Sequence, residues 1–197
     1  MGIRSGQIKR PAVFLDRDGT IIRQVELLHK PSQLRLLPGA VSAISTFNRL
    51  GYLVVIVTNQ PVIARGMIGI DELGHIHAVL TDRLARRGAR IDAVYFCPHH
   101  PKADREEYRM TCACRKPGIG MLLQAQKDMN IDFSRSFFIG DSTQDVAAGN
   151  RAKVTMILVQ TGHGGKDPWQ HDSVPDFIAR NLTDAADIVK KHTLTTI

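Results

Sequence analysis

Short apolar segments alternate along this chain with stretches whose apolar residues recur at helical spacing. The first apolar segment, Ala12 to Leu15, runs directly into Asp16-Arg-Asp-Gly-Thr20, whose glycine and small polar residues are typical of a loop. After it, Val41, Ile44 and Phe47 recur every three residues, as on one face of a helix. Uninterrupted apolar strands that alternate with helices predict a parallel sheet covered by helices on both faces, which is a three-layer α/β fold.

The pattern continues to the end of the chain. Predicted strands cover residues 12–15, 52–57, 91–96, 136–139 and 155–159. Predicted helices cover residues 39–50, 71–87, a segment that starts at Pro117, 144–151 and 183–192. We expect Asp71 to cap the second helix and Pro117 to lie in the first turn of the third. The expected architecture is a Rossmann-like parallel sheet between two helical layers.

The size and composition of the chain are those of one globular domain. It has 197 residues, of which 43% are hydrophobic and 23% are charged, which is enough apolar material for a buried core. No apolar run approaches the roughly 20 residues that cross a bilayer, and residues 1–10 lack the apolar segment of a signal peptide. We therefore expect a single domain over residues 1–197, in the cytoplasm and without a membrane partner.

The formal net charge of +7 is compatible with a nucleic-acid partner, an anionic small substrate or simple solubility. Much of the positive charge lies in Arg83, Arg86, Arg87 and Arg90, at spacings that suit the solvent face of a helix. No aromatic residues are interleaved with them for base stacking. We therefore expect no nucleic-acid partner, and we expect a monomer that binds a small anionic substrate.

Polar residues follow the predicted strands at the sheet edge where α/β proteins bind ligands. Asp16 and Asp18 are two residues apart at the end of an extended segment, so both side chains can point one way while Arg17 points to the other. Two carboxylates on one face repel each other, and a hard cation such as Mg²⁺ relieves this repulsion. Asp141, after a separate strand, can supply a third oxygen. The sequence therefore predicts a magnesium site at Asp16, Asp18 and Asp141.

An isolated Asp-x-Asp pair is more often a solvated turn, so the context carries this interpretation. Four segments occur in order along the chain: Asp16-Arg-Asp-Gly-Thr20, Val57-Thr-Asn59, Lys116-Pro117 and Gly140-Asp-Ser-Thr-Gln-Asp145. This set closely resembles the four motifs of the haloacid dehalogenase (HAD) superfamily, whose members are mostly phosphatases. The resemblance covers nearly the whole chain and implies a HAD-type sheet without a large cap domain.

The resemblance also implies a role for each residue. Asp16 would attack phosphorus, Asp18 would act as general acid and then as general base, and Asp141 would bind Mg²⁺. Thr58 and Lys116 would hold the phosphoryl oxygens. These roles agree with physical chemistry, because a carboxylate that approaches an anionic phosphate needs positive charge to offset the repulsion. For Asp145 two interpretations stand side by side, orientation of the neighbouring ligands and capping of a helix.

All three cysteines lie in one window, in Cys97-Pro-His-His-Pro101 and Cys112-Ala-Cys114. Three thiolates and one imidazole can surround a tetrahedral Zn²⁺, and a closed set of four protein ligands is typical of a structural site. His99 and His100 are both candidates for the imidazole. An odd number of cysteines in a cytoplasmic chain disfavours a disulfide. The sequence therefore predicts a structural zinc loop over residues 97–114.

Further segments, among them Thr58-Asn-Gln60, Ile63-Ala-Arg-Gly66 and Cys114-Arg-Lys-Pro117, are similar to a narrower family, the D-glycero-D-manno-heptose 1,7-bisphosphate phosphatases, and to histidinol phosphatases. This similarity implies that Cys97, His99, Cys112 and Cys114 bind zinc. It implies that the zinc loop positions Arg115 and Lys116. It also implies substrate contacts, which we expect at Asn59, Gln60, Arg65 and Arg115.

The implied reaction is removal of the 7-phosphate of a heptose 1,7-bisphosphate, with magnesium and a structural zinc as cofactors. The same similarity implies a role in the heptose metabolism of lipopolysaccharide synthesis. Histidinol phosphate and phosphorylated nucleic-acid ends are the alternative substrates. Residues 22–28 depart from the family pattern, since heptose phosphatases usually have an asparagine and a tyrosine–valine pair after the first motif. We expect His163 to lie in a turn, and residues 169–175 remain unassigned.

Overall fold

The computed structural model describes residues 8–168 and 171–195. These residues form one six-stranded sheet in which all strands are parallel, in the order β3-β2-β1-β4-β5-β6. The strands are β1 (Ala12–Leu15), β2 (Leu53–Asn59), β3 (Ala93–Cys97), β4 (Phe137–Gly140), β5 (Thr155–Val159) and β6 (Phe177–Ala179). The predicted three-layer parallel fold is confirmed.

Two helical layers cover the sheet. The helices are α1 (Ala40–Arg49), α2 (Ile70–Ala85), α3 (Gly120–Met129), α4 (Thr143–Ala152) and α5 (Leu182–Thr195). Along β1, Val13 and Leu15 pack into the core under α1, α2 and α5, whereas Ala12 and Phe14 pack into the core under α3 and α4. Because successive side chains of a strand point to opposite faces, a wholly apolar strand fills both cores.

The crevice that holds the candidate site lies at the end of β1, which has a neighbouring strand on each side. β1 pairs with β2 on one side and with β4 on the other, so the strand order reverses between β1 and β4. At such a switch point the loops after the two strands diverge and leave a crevice outside their carboxyl ends. The residues directly after β1 and β4 therefore lie beside each other at the bottom of that crevice.

The structure differs from the predictions at several element ends. Gly69, not Asp71, is the N-cap of α2, and its N–H donates to the carboxylate of Glu72 at 2.8 Å. α3 begins at Gly120, so Pro117 lies before it. The short edge strand β6 was not predicted, because only one of its three residues is buried.

The expectations about a cap domain and about membrane-spanning helices can be compared only with the described residues. No separate cap domain occurs within residues 8–168 and 171–195. None of the helices in this part of the chain has the length and apolar character needed to cross a bilayer. Trp169 falls outside the described residues.

Candidate active site and cysteine cluster

Asp16 and Lys116 are in direct contact at the bottom of the crevice. Asp16 follows β1, and Lys116 enters from the loop that precedes α3. The Nζ of Lys116 lies 2.6 Å from Oδ1 of Asp16 and donates to the main-chain oxygen of Val57 at 3.0 Å. Both charged side chains are almost completely buried. The residue predicted to attack phosphorus and the predicted phosphate-binding lysine thus form one buried ion pair.

Asp145, in the first turn of α4, contacts the same lysine. Its Oδ1 lies 2.6 Å from Nζ of Lys116. Its Oδ2 accepts hydrogen bonds from the main-chain N–H of Ser142 at 3.1 Å and from the Ser142 hydroxyl at 2.6 Å, and this reciprocal arrangement caps the helix. Both interpretations of Asp145 hold together, because one oxygen caps α4 while the other holds Lys116.

We call Asp16, Asp141 and Asp145 the carboxylate cluster, since their oxygens lie within 4.8 Å of one another. Burial raises the pKa of Asp16 to about 7; Lys116 opposes this rise, and the carboxylates of Asp145 and Asp18 add to it. Burial also raises the pKa of Asp141 to about 9, with Asp16 and Asp145 adding to the effect. The cluster therefore holds more negative charge than one ammonium group balances.

This donor set fits a divalent cation. Carboxylate oxygens are the ligands that Mg²⁺ prefers, and one or two of them usually suffice when water and phosphate complete the octahedron. Asp145 uses one oxygen on Lys116 and the other on Ser142. Within the described part of the chain, Asp16 is bonded through Oδ1 and Asp141 through Oδ2, so each has a second oxygen to offer a metal. The surroundings of Asp141 are tight, because a Cβ at Gly19 would lie only 2.2 Å from its Oδ2.

The side chain of Asp18 lies outside the carboxylate cluster. Its Oδ2 accepts hydrogen bonds from Nε and Nη2 of Arg17, at 3.1 and 2.8 Å, and from Nε2 of Gln60 at 2.9 Å. Arg17 therefore turns toward Asp18, whereas the sequence predicted that it points away. The physical reason is that this guanidinium is buried, with 1% of the side chain exposed, and a buried charge needs a partner. The structure brings Asp145, not the Asp18 side chain, to Asp16 and Asp141.

The polar residues at the end of β2 hold other residues of the site. Thr58 accepts a hydrogen bond from Gln60 at 2.9 Å, which leaves its own hydroxyl proton to donate. Oδ1 of Asn59 accepts from the main-chain N–H of Lys116 at 3.0 Å, and its Nδ2 donates to the main-chain oxygen of Lys116 at 3.2 Å. Asn59 and Gln60 line the crevice, and their amides also position Lys116 and Asp18.

The crevice encloses about 530 Å³ and combines the acidic bottom with basic side chains. Arg65, His100 and Arg115 all line it. Burial lowers the pKa of His100, and the positive charges of Arg115 and Arg65 lower it further, so the three side chains act on one another. Arg115 is anchored by a hydrogen bond from Nη1 to the main-chain oxygen of His99 at 3.2 Å. Residues 24–28, which depart from the family pattern, line the same crevice.

The predicted zinc residues converge on one point, and we call Cys97, His99, Cys112 and Cys114 the cysteine cluster. Their three sulfur atoms lie 2.9–3.5 Å apart, and Nδ1 of His99 lies 3.3 Å from the sulfur of Cys114. All three cysteines are free. His100 is turned elsewhere, since its Nδ1 accepts from the main-chain N–H of Lys102 at 3.0 Å. Three thiols and one imidazole within 4.8 Å fit a tetrahedral Zn²⁺.

The loop after β5 supplies contacts that the sequence did not reveal. The main-chain N–H of His163 donates to Oδ2 of Asp141 at 2.7 Å, and that of Gly165 donates to the main-chain oxygen of Asp141 at 2.8 Å. Asp167, fully buried, accepts from the hydroxyl of Thr143 at 2.8 Å and ties the same loop to α4. The available sequence signal for this loop was its three glycines, Gly162, Gly164 and Gly165. All three have positive φ, a conformation that glycine adopts readily.

Comparisons with known proteins agree with this fold. A family model described as "HAD-hyrolase-like" matches residues 113–185. A D-glycero-beta-D-manno-heptose-1,7-bisphosphate 7-phosphatase from Photorhabdus laumondii is 43% identical over 91% of this chain and 95% of its own length. One from Rhodopseudomonas palustris is 45% identical over 74% of this chain and 81% of its own.

Among solved structures, the D,D-heptose 1,7-bisphosphate phosphatase from B. bronchiseptica, crystallised with magnesium and phosphate, has a TM-score of 0.80 and 31% identity. It covers 92% of this chain and 99% of its own. The parallel sheet, its switch-point carboxylates and its buried lysine are those of a hydrolase of the HAD type. The chain belongs to the haloacid dehalogenase superfamily and, within it, to the family of D-glycero-β-D-manno-heptose-1,7-bisphosphate 7-phosphatases.

Proposed function

We propose that this chain hydrolyses the 7-phosphate of D-glycero-D-manno-heptose 1,7-bisphosphate. The contact that carries the proposal is the ion pair between Asp16 and Lys116 at the bottom of the crevice, 2.6 Å between Oδ1 and Nζ. It puts a carboxylate oxygen and a fixed positive charge where a phosphate can reach both. The relatives at 43% and 45% identity carry the name of this activity.

The reaction proceeds in two steps. In the first, a carboxylate oxygen of Asp16 bonds to phosphorus while the bond to the sugar oxygen breaks, and Asp18 gives its proton to the departing oxygen. In the second, Asp18 takes a proton from water, the water oxygen bonds to phosphorus, and the bond between phosphorus and Asp16 breaks to release phosphate. A covalent intermediate replaces one difficult displacement by two easier ones.

The remaining residues prepare Asp16 for this attack. Lys116 offsets the repulsion between the carboxylate and the phosphate, and Thr58 donates its hydroxyl proton to a phosphoryl oxygen. Asp16 and Asp141 would bind Mg²⁺, whose charge stabilises the negative oxygens of the transferred phosphoryl group. The raised pKa values of these two carboxyls support a cation site, because a cation relieves the cause of the shift.

The basic side of the crevice is proposed to bind the second phosphate. One guanidinium nitrogen of Arg115, Nη1, is held by the main-chain oxygen of His99, and the remaining donors of a guanidinium can bind anionic oxygens. Arg65 pairs at 3.6 Å with Asp104, which is largely exposed, so it contributes less. Structural zinc at the cysteine cluster would fix the loop that carries Arg115 and Lys116. We further propose a single-domain, monomeric protein that acts in the cytoplasm.

A phosphate-release screen tests the proposal. The substrates are heptose 1,7-bisphosphate, histidinol phosphate and 3′-phosphorylated DNA, each with and without added Mg²⁺, and Asp16→Asn is the blank. We expect Mg²⁺-dependent release that is fastest from the heptose bisphosphate. Faster release from histidinol phosphate or DNA would make that compound the substrate instead of the heptose bisphosphate. Full activity of Asp16→Asn would overturn the mechanism.

A further inference from the structure

A buried chain of hydrogen bonds runs from helix α2 to Asp18. His77, on the inner face of α2, is 6% exposed, and its Nε2 lies 3.1 Å from Nη1 of Arg17. Arg17 uses its other nitrogens on Asp18, and its Nη2 also donates to Oε1 of Gln60 at 2.8 Å. His77 therefore touches the reaction only through Arg17.

The direction of the contact between His77 and Arg17 follows from their chemistry. A guanidinium has donors only, so Nε2 of His77 accepts and the ring proton sits on Nδ1. The imidazole must then be neutral, and burial together with the charge of Arg17 lowers the pKa of His77 to about 3. His77 thus stays an acceptor over the whole range in which an enzyme of this kind works.

The network treats the two oxygens of Asp18 differently. Oδ2 accepts three hydrogen bonds, two from Arg17 and one from Gln60. Oδ1 is buried and accepts none from any residue in the described part of the chain. Gln60 is itself fixed by a second hydrogen bond to Thr58. Arg17 and Gln60 together therefore fix the orientation of the Asp18 carboxyl group through Oδ2.

We propose that His77 is a positioning residue: by holding Arg17 it fixes Oδ2 of Asp18 and with it the orientation of the carboxyl group that transfers the proton. The inference rests on the proposed function, in which Asp18 protonates the departing sugar oxygen. The proton of the Asp18 carboxyl group passes to that oxygen as its bond to phosphorus breaks. If the acceptor at position 77 is lost, Nη1 of Arg17 is left buried without a partner, and the guanidinium shifts until it finds one.

The test compares two kinds of leaving group. A sugar alkoxide needs a proton as it departs, whereas p-nitrophenolate departs without one, so poor positioning of Asp18 slows only the first. We measure kcat/KM, which reports steps up to cleavage of the substrate, for heptose bisphosphate and for p-nitrophenyl phosphate. The variants are His77→Gln, whose amide oxygen replaces Nε2 as acceptor, and His77→Asn, whose shorter side chain does not reach Arg17.

We expect His77→Asn to lower kcat/KM for heptose bisphosphate by about 10- to 100-fold, and for p-nitrophenyl phosphate by about threefold or less. His77→Gln should restore most of the loss. Equal losses on both substrates, or no loss in His77→Asn, would overturn the inference. Should the wild-type protein reject heptose bisphosphate, the proposed function fails separately, and the same ratio is measured with the alkyl phosphate that the screen identifies.

Discussion

The carboxylate cluster and the cysteine cluster are two candidate metal sites with opposite designs. The first consists of hard oxygen donors at the ends of β1 and β4 and opens into the crevice. The second consists of three sulfurs and one nitrogen at the end of β3 and in the loop after it, and these four donors would complete a tetrahedron around a zinc ion. A metal in the first would keep coordination positions for a substrate, whereas a metal in the second would keep none.

This difference shows how one chain can keep a candidate catalytic metal site apart from a candidate structural metal site. The two sites meet at residues 114–116, because Cys114 belongs to the cysteine cluster while Lys116 contacts Asp16. A rigid zinc loop would therefore set the position of the lysine without exposing the zinc to the substrate. Loss of the carboxylate cluster should abolish catalysis, whereas loss of the cysteine cluster should first lower the stability of the protein.

The largest expected effect is at the centre of the carboxylate cluster. Asp16→Asn should lower kcat on heptose bisphosphate by about 10⁴-fold or more, because an amide cannot form the covalent intermediate. Steady-state phosphate release measures it. The matched control is Asp71→Asn, an exposed aspartate on α2, which should retain wild-type kcat; loss in both variants would refute the assignment of Asp16.

A change in the cysteine cluster should act on stability before chemistry. Cys114→Ser should reduce bound zinc from about one equivalent to a small fraction and lower the melting temperature, because metal binding contributes directly to folding. Elemental analysis and thermal melting measure both. Thr111→Ala, an exposed change in the same loop, is the control. Wild-type protein purified without chelator that holds no zinc would contradict the prediction.

A smaller effect is expected on the basic side of the crevice. Arg115→Ala should raise KM for heptose bisphosphate by about tenfold, the effect of one lost charged hydrogen bond, whereas Arg65→Ala should raise it less because Asp104 already engages Arg65. For p-nitrophenyl phosphate, which has no second phosphate, KM should change little in both variants. Equal changes with the two substrates would argue against a second phosphate site.

The smallest expected effect is on how the stabilisation by Mg²⁺ depends on pH. Asp16 and Asp141 have pKa values of about 7 and about 9, above their ordinary 3.8. A carboxyl group with a raised pKa in the folded state binds its proton more tightly there, so its contribution to stability is lost as pH rises from about 4 to about 9. Mg²⁺ bound to these carboxylates would replace the protons. The gain in melting temperature with Mg²⁺ should therefore be larger near about pH 8.5 than near about pH 6, and Asp141→Asn should reduce it.

Sequence reasoning recovered the central parts of the fold because these depend on local patterns. Apolar runs such as β1 end at a loop, and the helical periodicity of α1 is visible in Val41, Ile44 and Phe47. It predicted that Asp16 and Asp141 lie together, since the carboxyl ends of parallel strands share one edge, and the resemblance to the HAD motifs added Lys116. It did not recover β6, whose exposed side chains lack a pattern.

The sequence by itself determined the layered parallel sheet and the two donor types, oxygen and sulfur, because each follows from local periodicity or from residue chemistry. Only the tertiary structure decided which partner each charge takes. Arg17 turns to Asp18, Asp145 reaches Lys116, and His77 approaches from a separate helix. These pairings arise from burial, since a charge removed from water must find a partner wherever the packed elements bring one within reach.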